Sequence, residues 1–317
     1  MNVLITGGSG FLGQRLMQAL LASPEAAIEK LVIADQAAPR ENPGDGRVEF
    51  RKLDLANPAA ATELLSGRVD AIFHLAAVVS SHAEADFDTG MRVNVDATRG
   101  LLEAVRATGR SPRFIFASSL AVFGPPLPRV VTDDTAAVPS SSYGMEKAVG
   151  ELLVNEYSRR GFVDGRVLRL PTISVRPGLP NRAASSFASG IIREPLRGVA
   201  ATCPVGPDVE LWLSSPGTAI ANLIHAMTLP AGRFGPRRIV NLPGITVSVG
   251  EMIAALSRVA GPAVAERVTF SPDEGVNRIV ANWPARFDVT ISEGLGFARD
   301  RDMDGLIRAH IDESRRP

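Results

Sequence analysis

Tyr143 and Lys147 stand four positions apart in "SSSYGMEKAVGELL", residues 140–153. The chain has only two tyrosines and three lysines, the other lysines being Lys30 and Lys52. Residues four apart on a helix share one face. A free phenol titrates near pH ~10 and is a poor base at neutral pH. A neighbouring ammonium favours the phenolate, so the pair is expected to lower the Tyr143 pKa. Tyr143 would then exchange a proton with a substrate oxygen as hydride moves. Lysine offers a compact ammonium where arginine offers a broad fork, which accounts for a lysine here in an arginine-rich chain. A third element lies in "FASSLAVFG" (116–124), where Ser118 and Ser119 end a strand-like run and offer hydroxyls to a substrate carbonyl.

A second constellation is "TGGSGFLG" near the N-terminus. It places Gly7, Gly10 and Gly13, with Phe11 and Leu12, between a predicted strand and a predicted helix. Glycines there allow a tight turn and close approach of backbone to a pyrophosphate, while the helix N-terminus offers free N–H groups and positive dipole. Asp35 ends the next strand, where a carboxylate accepts ribose hydroxyls and repels a 2′-phosphate. The expected cofactor is therefore NAD rather than NADP. Asp54-Leu55 ends the third strand within reach of the adenine, with a cap on the following helix as the alternative for Asp54. "HLAA" (74–77) closes the fourth strand with Leu75, Ala76 and Ala77, small enough for close approach. His74 itself reads as a packed strand residue.

The elements that must position these groups alternate. Strand-like runs at 2–6, 30–35, 48–55, 71–77 and 113–119 are separated by helical patterns such as 11–23 and 95–108. That alternation implies an α/β fold, a Rossmann doubly wound parallel sheet. The expected organisation is an NAD-binding domain over 1–170 and a smaller, turn-rich substrate-binding region over 171–317. Some late strands, such as 238–242, are expected to return to the main sheet. The net charge is zero, which gives no electrostatic footprint for nucleic acid or anionic membrane. One cysteine, Cys203, leaves no internal disulfide and fits a reducing cytosol, so a cytoplasmic enzyme is expected. The scattered histidines show no metal-ligand spacing, and neither a signal peptide nor a membrane span is expected.

Taken in order, TGGSGFLG, Asp35, Asp54-Leu55, HLAA, SSLAVFG and YGMEK resemble the extended short-chain dehydrogenase/reductase family, the NAD-dependent epimerases and dehydratases. The resemblance covers nearly the whole chain and implies a catalytic set of Ser119, Tyr143 and Lys147. Asn94 matches a family asparagine of the fourth helix, with local helix packing as the alternative. Phe123 stands where the family usually has tyrosine. The resemblance also implies cofactor contacts from Pro171 and Ile173, and a homodimer through the helices at 94–108 and 143–160.

Three departures bear on the substrate. Leu120 and Ala121 replace the acid pair of the dehydratases. Glu210 stands where nucleotide-sugar enzymes often carry an arginine for the diphosphate, and a carboxylate there would repel it. "RLPTISVRP" (169–177) puts Thr172 in place of an asparagine and adds Arg176. An added arginine without phosphate partners suits a small carboxylate. Arg176 and Arg182 are the candidate clamps, with Ser80, Ser118, Thr172, Ser185 and Ser186 as hydrogen-bonding neighbours; solvated loop charges are the alternative for both arginines. The segment also resembles a branch of the family that acts on four-carbon sugar acids. That implies NAD-dependent oxidation of a C2 hydroxyl to a 2-oxo acid, with D-erythronate the expected substrate. A nucleotide-sugar 4-epimerase, another sugar-acid dehydrogenase, and a non-catalytic NAD-sensing regulator stay open.

Overall fold

The computed structural model describes residues 1–39, 44–178, 184–280 and 282–315. Its first half winds strand by strand: β1 Asn2–Thr6, β2 Lys30–Asp35, β3 Val48–Lys52, β4 Ala71–His74, β5 Arg113–Ser119 and β6 Asp164–Leu170. The chain then leaves this sheet for β7 Thr172–Ile173, β8 Ala201–Cys203 and β9 Glu210–Ser214, returns with β10 Ile239–Asn241, and continues into β11 Ile245–Ser248. The main sheet is parallel throughout, in the order β10-β6-β5-β4-β1-β2-β3. Strand order reverses between β1 and β4, the crevice where open α/β sheets bind ligands.

Because side chains alternate across a strand, consecutive residues feed different cores. Val3 and Ile5 join Leu16, Met17 and Leu20 of α1 (Phe11–Ala22). Leu4 joins the opposite layer. That layer is built from α2 (Pro58–Leu64) and, after the short α3 (Ser80–Ala85) and α4 (Phe87–Gly90), from α5 (Ala97–Ala107) and α6 (Ser142–Arg159). Phe114 and Phe116 of β5 are fully buried in that second layer. Each side chain of this size contributes about 1.5–3 kcal/mol relative to exposure.

After residue 170 the chain is shared between two cores. In the smaller one, α7 (Phe187–Leu196) packs with β9 and β11. α8 (Pro216–Thr228) returns to the main core through Leu223 and Ala226. α9 (Val249–Ala260) and the C-terminal helix Met303–Ser314 complete the smaller core. No helix among the described residues is long and apolar enough to cross a membrane.

Two strands end earlier than expected. β3 stops at Lys52 because Asp54 Oδ1 accepts from the Ala56 N–H at 2.9 Å and turns the chain. β4 stops at His74. The helix expected from 95 begins regularly at Ala97, and Met91–Asp96 before it forms a π-helical turn. Hydrophobic periodicity does not reveal the extra residue of such a turn, which frequently marks a functional site.

Candidate active site

The glycine loop sits at the sheet's switch point. Gly7 has φ +69°, and a Cβ there would fall 2.6 Å from the Ala76 backbone nitrogen, so the first and fourth strand ends touch only because the residue is glycine. Gly13 presses equally hard on Gly7 and Gly8. Gly10 is exposed and caps α1 with no side-chain hydrogen bond, leaving the helix N–H groups for an anion. Phe11 opens the helix beneath the Arg15 guanidinium, and Leu12 packs on the main core. Asp35 accepts from the Ser9 N–H at 3.0 Å and the Ala37 N–H at 3.4 Å, which fixes its carboxylate beside the loop. These residues fit NAD: free amides for the pyrophosphate and a fixed carboxylate for ribose hydroxyls. Asp54 turns out not to be the α2 cap; Asn57 is, accepting from the Ala59 N–H. Leu55, Leu75, Ala76 and Ala77 are half-buried at the same strand ends, and Pro171 and Ile173 follow β6 nearby.

The residues expected to transfer a proton meet through α6. Ser141 starts that helix by accepting from the Gly144 N–H at 3.2 Å. A Cβ at Gly144 would overlap the Ala121 carbonyl oxygen, and one at Gly150 would strike the Phe116 ring, so α6 lies directly on β5 and the turn after it. This close seat brings the Tyr143 hydroxyl beside Ser119, near enough for the serine to act on its proton equilibrium. The Lys147 ammonium donates to the Ala117 carbonyl at 2.9 Å and lies over the Phe116 and Tyr143 rings, 4.9 and 5.8 Å from their centroids.

The expected fall in the Tyr143 pKa is corrected by this geometry. Burial pushes the phenol up to about 12, against the opposing pull of the Ser119 hydrogen bond and the Arg176 charge. Burial also draws the Lys147 ammonium down to about 8, with Glu146 and Glu151 holding it up. The same interior that brings the two groups together penalises the charge of each.

Several assignments change. Ser118 faces the protein interior, where its hydroxyl donates to Glu151, itself paired with Arg169 at 2.7 Å. That corrects its expected place in the substrate pocket. Adjacent strand residues point to opposite faces, so only Ser119 meets Tyr143. Asn94 is held by the protein itself. It accepts from the Val78 N–H at 2.9 Å and donates to the Val78 carbonyl at 3.1 Å and to Glu146 Oε2 at 2.6 Å, which uses both of its N–H donors.

His74 is a buried structural link. Thr98 gives its single hydroxyl proton to the Asn94 carbonyl. It must therefore accept from His74 Nε2–H at 2.8 Å, which leaves Nδ1 to accept from Thr6 Oγ1 at 2.6 Å. Burial holds this ring neutral, with its pKa down at about 3.

The side expected to bind substrate is partly assembled. Arg176 donates to Ser185 Oγ at 3.5 Å and lies close enough for its charge to act on Tyr143. The Ala184 N–H donates to Ser80 Oγ at 3.5 Å, and Thr172 is buried in β7 beside Leu213. Arg182 lies outside the described residues. Arg193, a fully buried guanidinium the sequence did not single out, binds Glu194 and the Arg176 carbonyl. Arg193 thus has a carboxylate, whereas Arg176 has none among the described residues. The repulsion expected of Glu210 is also corrected: Arg286 donates to it at 3.0 Å and neutralises it. Leu120 and Ala121 are buried and carry no acid–base group. No cluster of metal-ligating side chains occurs among the described residues.

Comparison with known proteins agrees with this architecture. The family model described as "NAD dependent epimerase/dehydratase family" matches residues 3–226. A D-erythronate dehydrogenase of Cupriavidus necator is 55% identical over 321 residues, covering 99% of both chains. A D-erythronate dehydrogenase of Haemophilus influenzae is 50% identical, covering 98% of this chain and 99% of its own. Among solved structures, a protein described as a nucleoside-diphosphate-sugar epimerase from Agrobacterium tumefaciens superposes with TM-score 0.95 at 41% identity, over 99% of this chain and 94% of that one.

Proposed function

The chain belongs to the NAD dependent epimerase/dehydratase family, and from that premise we propose that it is an NAD-dependent dehydrogenase of a small sugar acid, oxidising the C2 hydroxyl of D-erythronate to the 2-oxo acid. The identity to D-erythronate dehydrogenases over essentially the whole chain supports the substrate. The observation that carries the chemistry is Arg176, a largely enclosed guanidinium beside Tyr143 with no carboxylate of its own among the described residues. Its planar fork matches a substrate carboxylate in two parallel hydrogen bonds, which fixes orientation as well as charge. The C2 oxygen then lies between Ser119 and Tyr143. Ser119 donates to that oxygen and Tyr143 takes its proton as phenolate. Burial opposes that form, so it must be favoured by the charge of Arg176, by the Lys147 ammonium and by the cationic nicotinamide when NAD is bound. NAD, when bound, accepts the C2 hydrogen as hydride. The reading places the enzyme in carbohydrate metabolism, in the cytoplasm, as a homodimer through α5 and α6.

Arg176→Ala tests this. Losing a charge-assisted contact costs about 1.5–3 kcal/mol, so kcat/KM for erythronate should fall by roughly one to two decades. Turnover of the neutral lactone should hardly change. A variant that keeps the wild-type preference for the acid overturns the clamp. Conversion of a UDP-sugar to its 4-epimer by the wild type, with no net reduction of the cofactor, would favour the epimerase reading instead.

A further inference from the structure

Between Tyr143 and Lys147 stands a residue that the mechanism above leaves unused. Glu146 is fully buried, at 0% exposure. Its Oε2 accepts from Asn94 at 2.6 Å, while Oε1 has no hydrogen-bond partner among the described residues. Room for that oxygen exists only because residue 90 is glycine, whose Cβ would overlap it. An interior carboxylate with an unspent oxygen is costly and calls for an explanation.

We propose that Glu146 is a positioning residue for the proton-transfer pair: its carboxylate, fixed by Asn94, is the counter-charge that sets when Tyr143 ionises and when Lys147 stays charged. The groups around it are few. Lys147 adjoins it on α6, Glu84 faces it from α3, and Asn94 from the π-helical turn. Lys147 in turn senses Glu146 and Glu151, and its charge reaches His74 on β4. Tyr143 senses Ser119, Glu146 and Arg176. The carboxylate therefore acts on both members in one sense: it favours the ammonium and disfavours the phenolate, so it raises both midpoints. Its own pKa is raised, by burial first and by Glu84, against the Asn94 hydrogen bond and the Lys147 charge, so Asn94 and Lys147 are the supports of its charge.

The inference rests on Tyr143 and Lys147 being the acid–base pair, but its test needs no turnover. With three lysines, 13C-lysine NMR resolves Lys147, and in a Tyr157→Phe background tyrosinate absorbance reports Tyr143 alone. Glu146→Gln should lower both midpoints, each by about one unit. A merely structural role predicts something different. Loosened packing would admit water and move Lys147 up toward its ordinary value. A Lys147 midpoint that rises or stays in place therefore overturns the proposal. Should Glu146→Gln fail to fold, Asn94→Ala removes the carboxylate's donor, favours its protonated form, and must shift Lys147 downward as well. Tyr143→Phe that keeps full turnover would sink the catalytic reading while leaving the Glu146 titrations standing.

Discussion

At the scale of residues, the proposed catalytic pair lives under tension between placement and charge. Lys147 is 3% exposed, and burial draws its pKa from 10.5 to about 8. The folded state thus binds its proton less well than the unfolded chain. The sign follows: the charge costs stability in full below about pH 8, and stability rises with pH as the unfolded chain alone stays protonated, up to about 10.5. Lys147→Met should therefore raise the free energy of unfolding at pH 7, by at most about 3 kcal/mol at 1.36 kcal/mol per pKa unit, while abolishing turnover. Calorimetry beside a turnover assay checks both. A variant less stable than wild type at pH 7 would show that the Ala117 hydrogen bond outweighs the desolvation. Tyr143 and Lys147 were legible from their scarcity and spacing. The direction of their titration was not, because it depends on how deeply α6 is buried.

At the scale of elements, the site depends on how closely α6 can approach β5. Gly144 and Gly150 form the contact face, against the Ala121 carbonyl and the Phe116 ring. Gly144→Ala forces the first turn of α6 outward, away from Ser119. Overpacking of this kind costs about 1–3 kcal/mol. The expected outcome is a modest loss in denaturant midpoint, a disproportionate fall in kcat, and unchanged NAD affinity, since the glycine loop on α1 is untouched. Equal kcat in variant and wild type would contradict the argument. A second internal chain, Thr6–His74–Thr98–Asn94, ties the end of β1 to the π-helical turn and so to Glu146. Each of those residue types is common, and nothing in their spacing announces the chain.

At the scale of the whole molecule, α5 and α6 lie side by side on one outer layer, joined by the Tyr157–Glu103 hydrogen bond. Leu152 on α6 is 68% exposed, unusual for leucine in the middle of a long helix. A second copy packing its own α5 and α6 there would cover it. Leu152→Arg is expected to convert a particle of two chains into one of a single chain in sedimentation, with the fold retained by circular dichroism. A wild type that already sediments as one chain would remove the proposed homodimer. The two cores meet where Arg15 of α1 forms a bidentate pair with Glu313 of the C-terminal helix at 2.8 Å, so the glycine loop and the smaller core are held together.

What the sequence determined by itself is whatever local pattern dictates. Buried β-branched runs alternating with amphipathic helices specify a parallel sheet. Glycines at 7, 10 and 13 with Asp35 specify a dinucleotide turn, and the spacing of Tyr143 and Lys147 puts both on one helical face. The tertiary structure decided what depends on partners far along the chain. It turned Ser118 inward to Glu151, spent Asn94 on Val78 and Glu146, gave Glu210 a partner in Arg286, and left Arg176 without a carboxylate among the described residues. The physical reason is the same in each case. A polar side chain acts through the groups within a few ångströms of it, and here those groups come from residues 16 to 76 positions away.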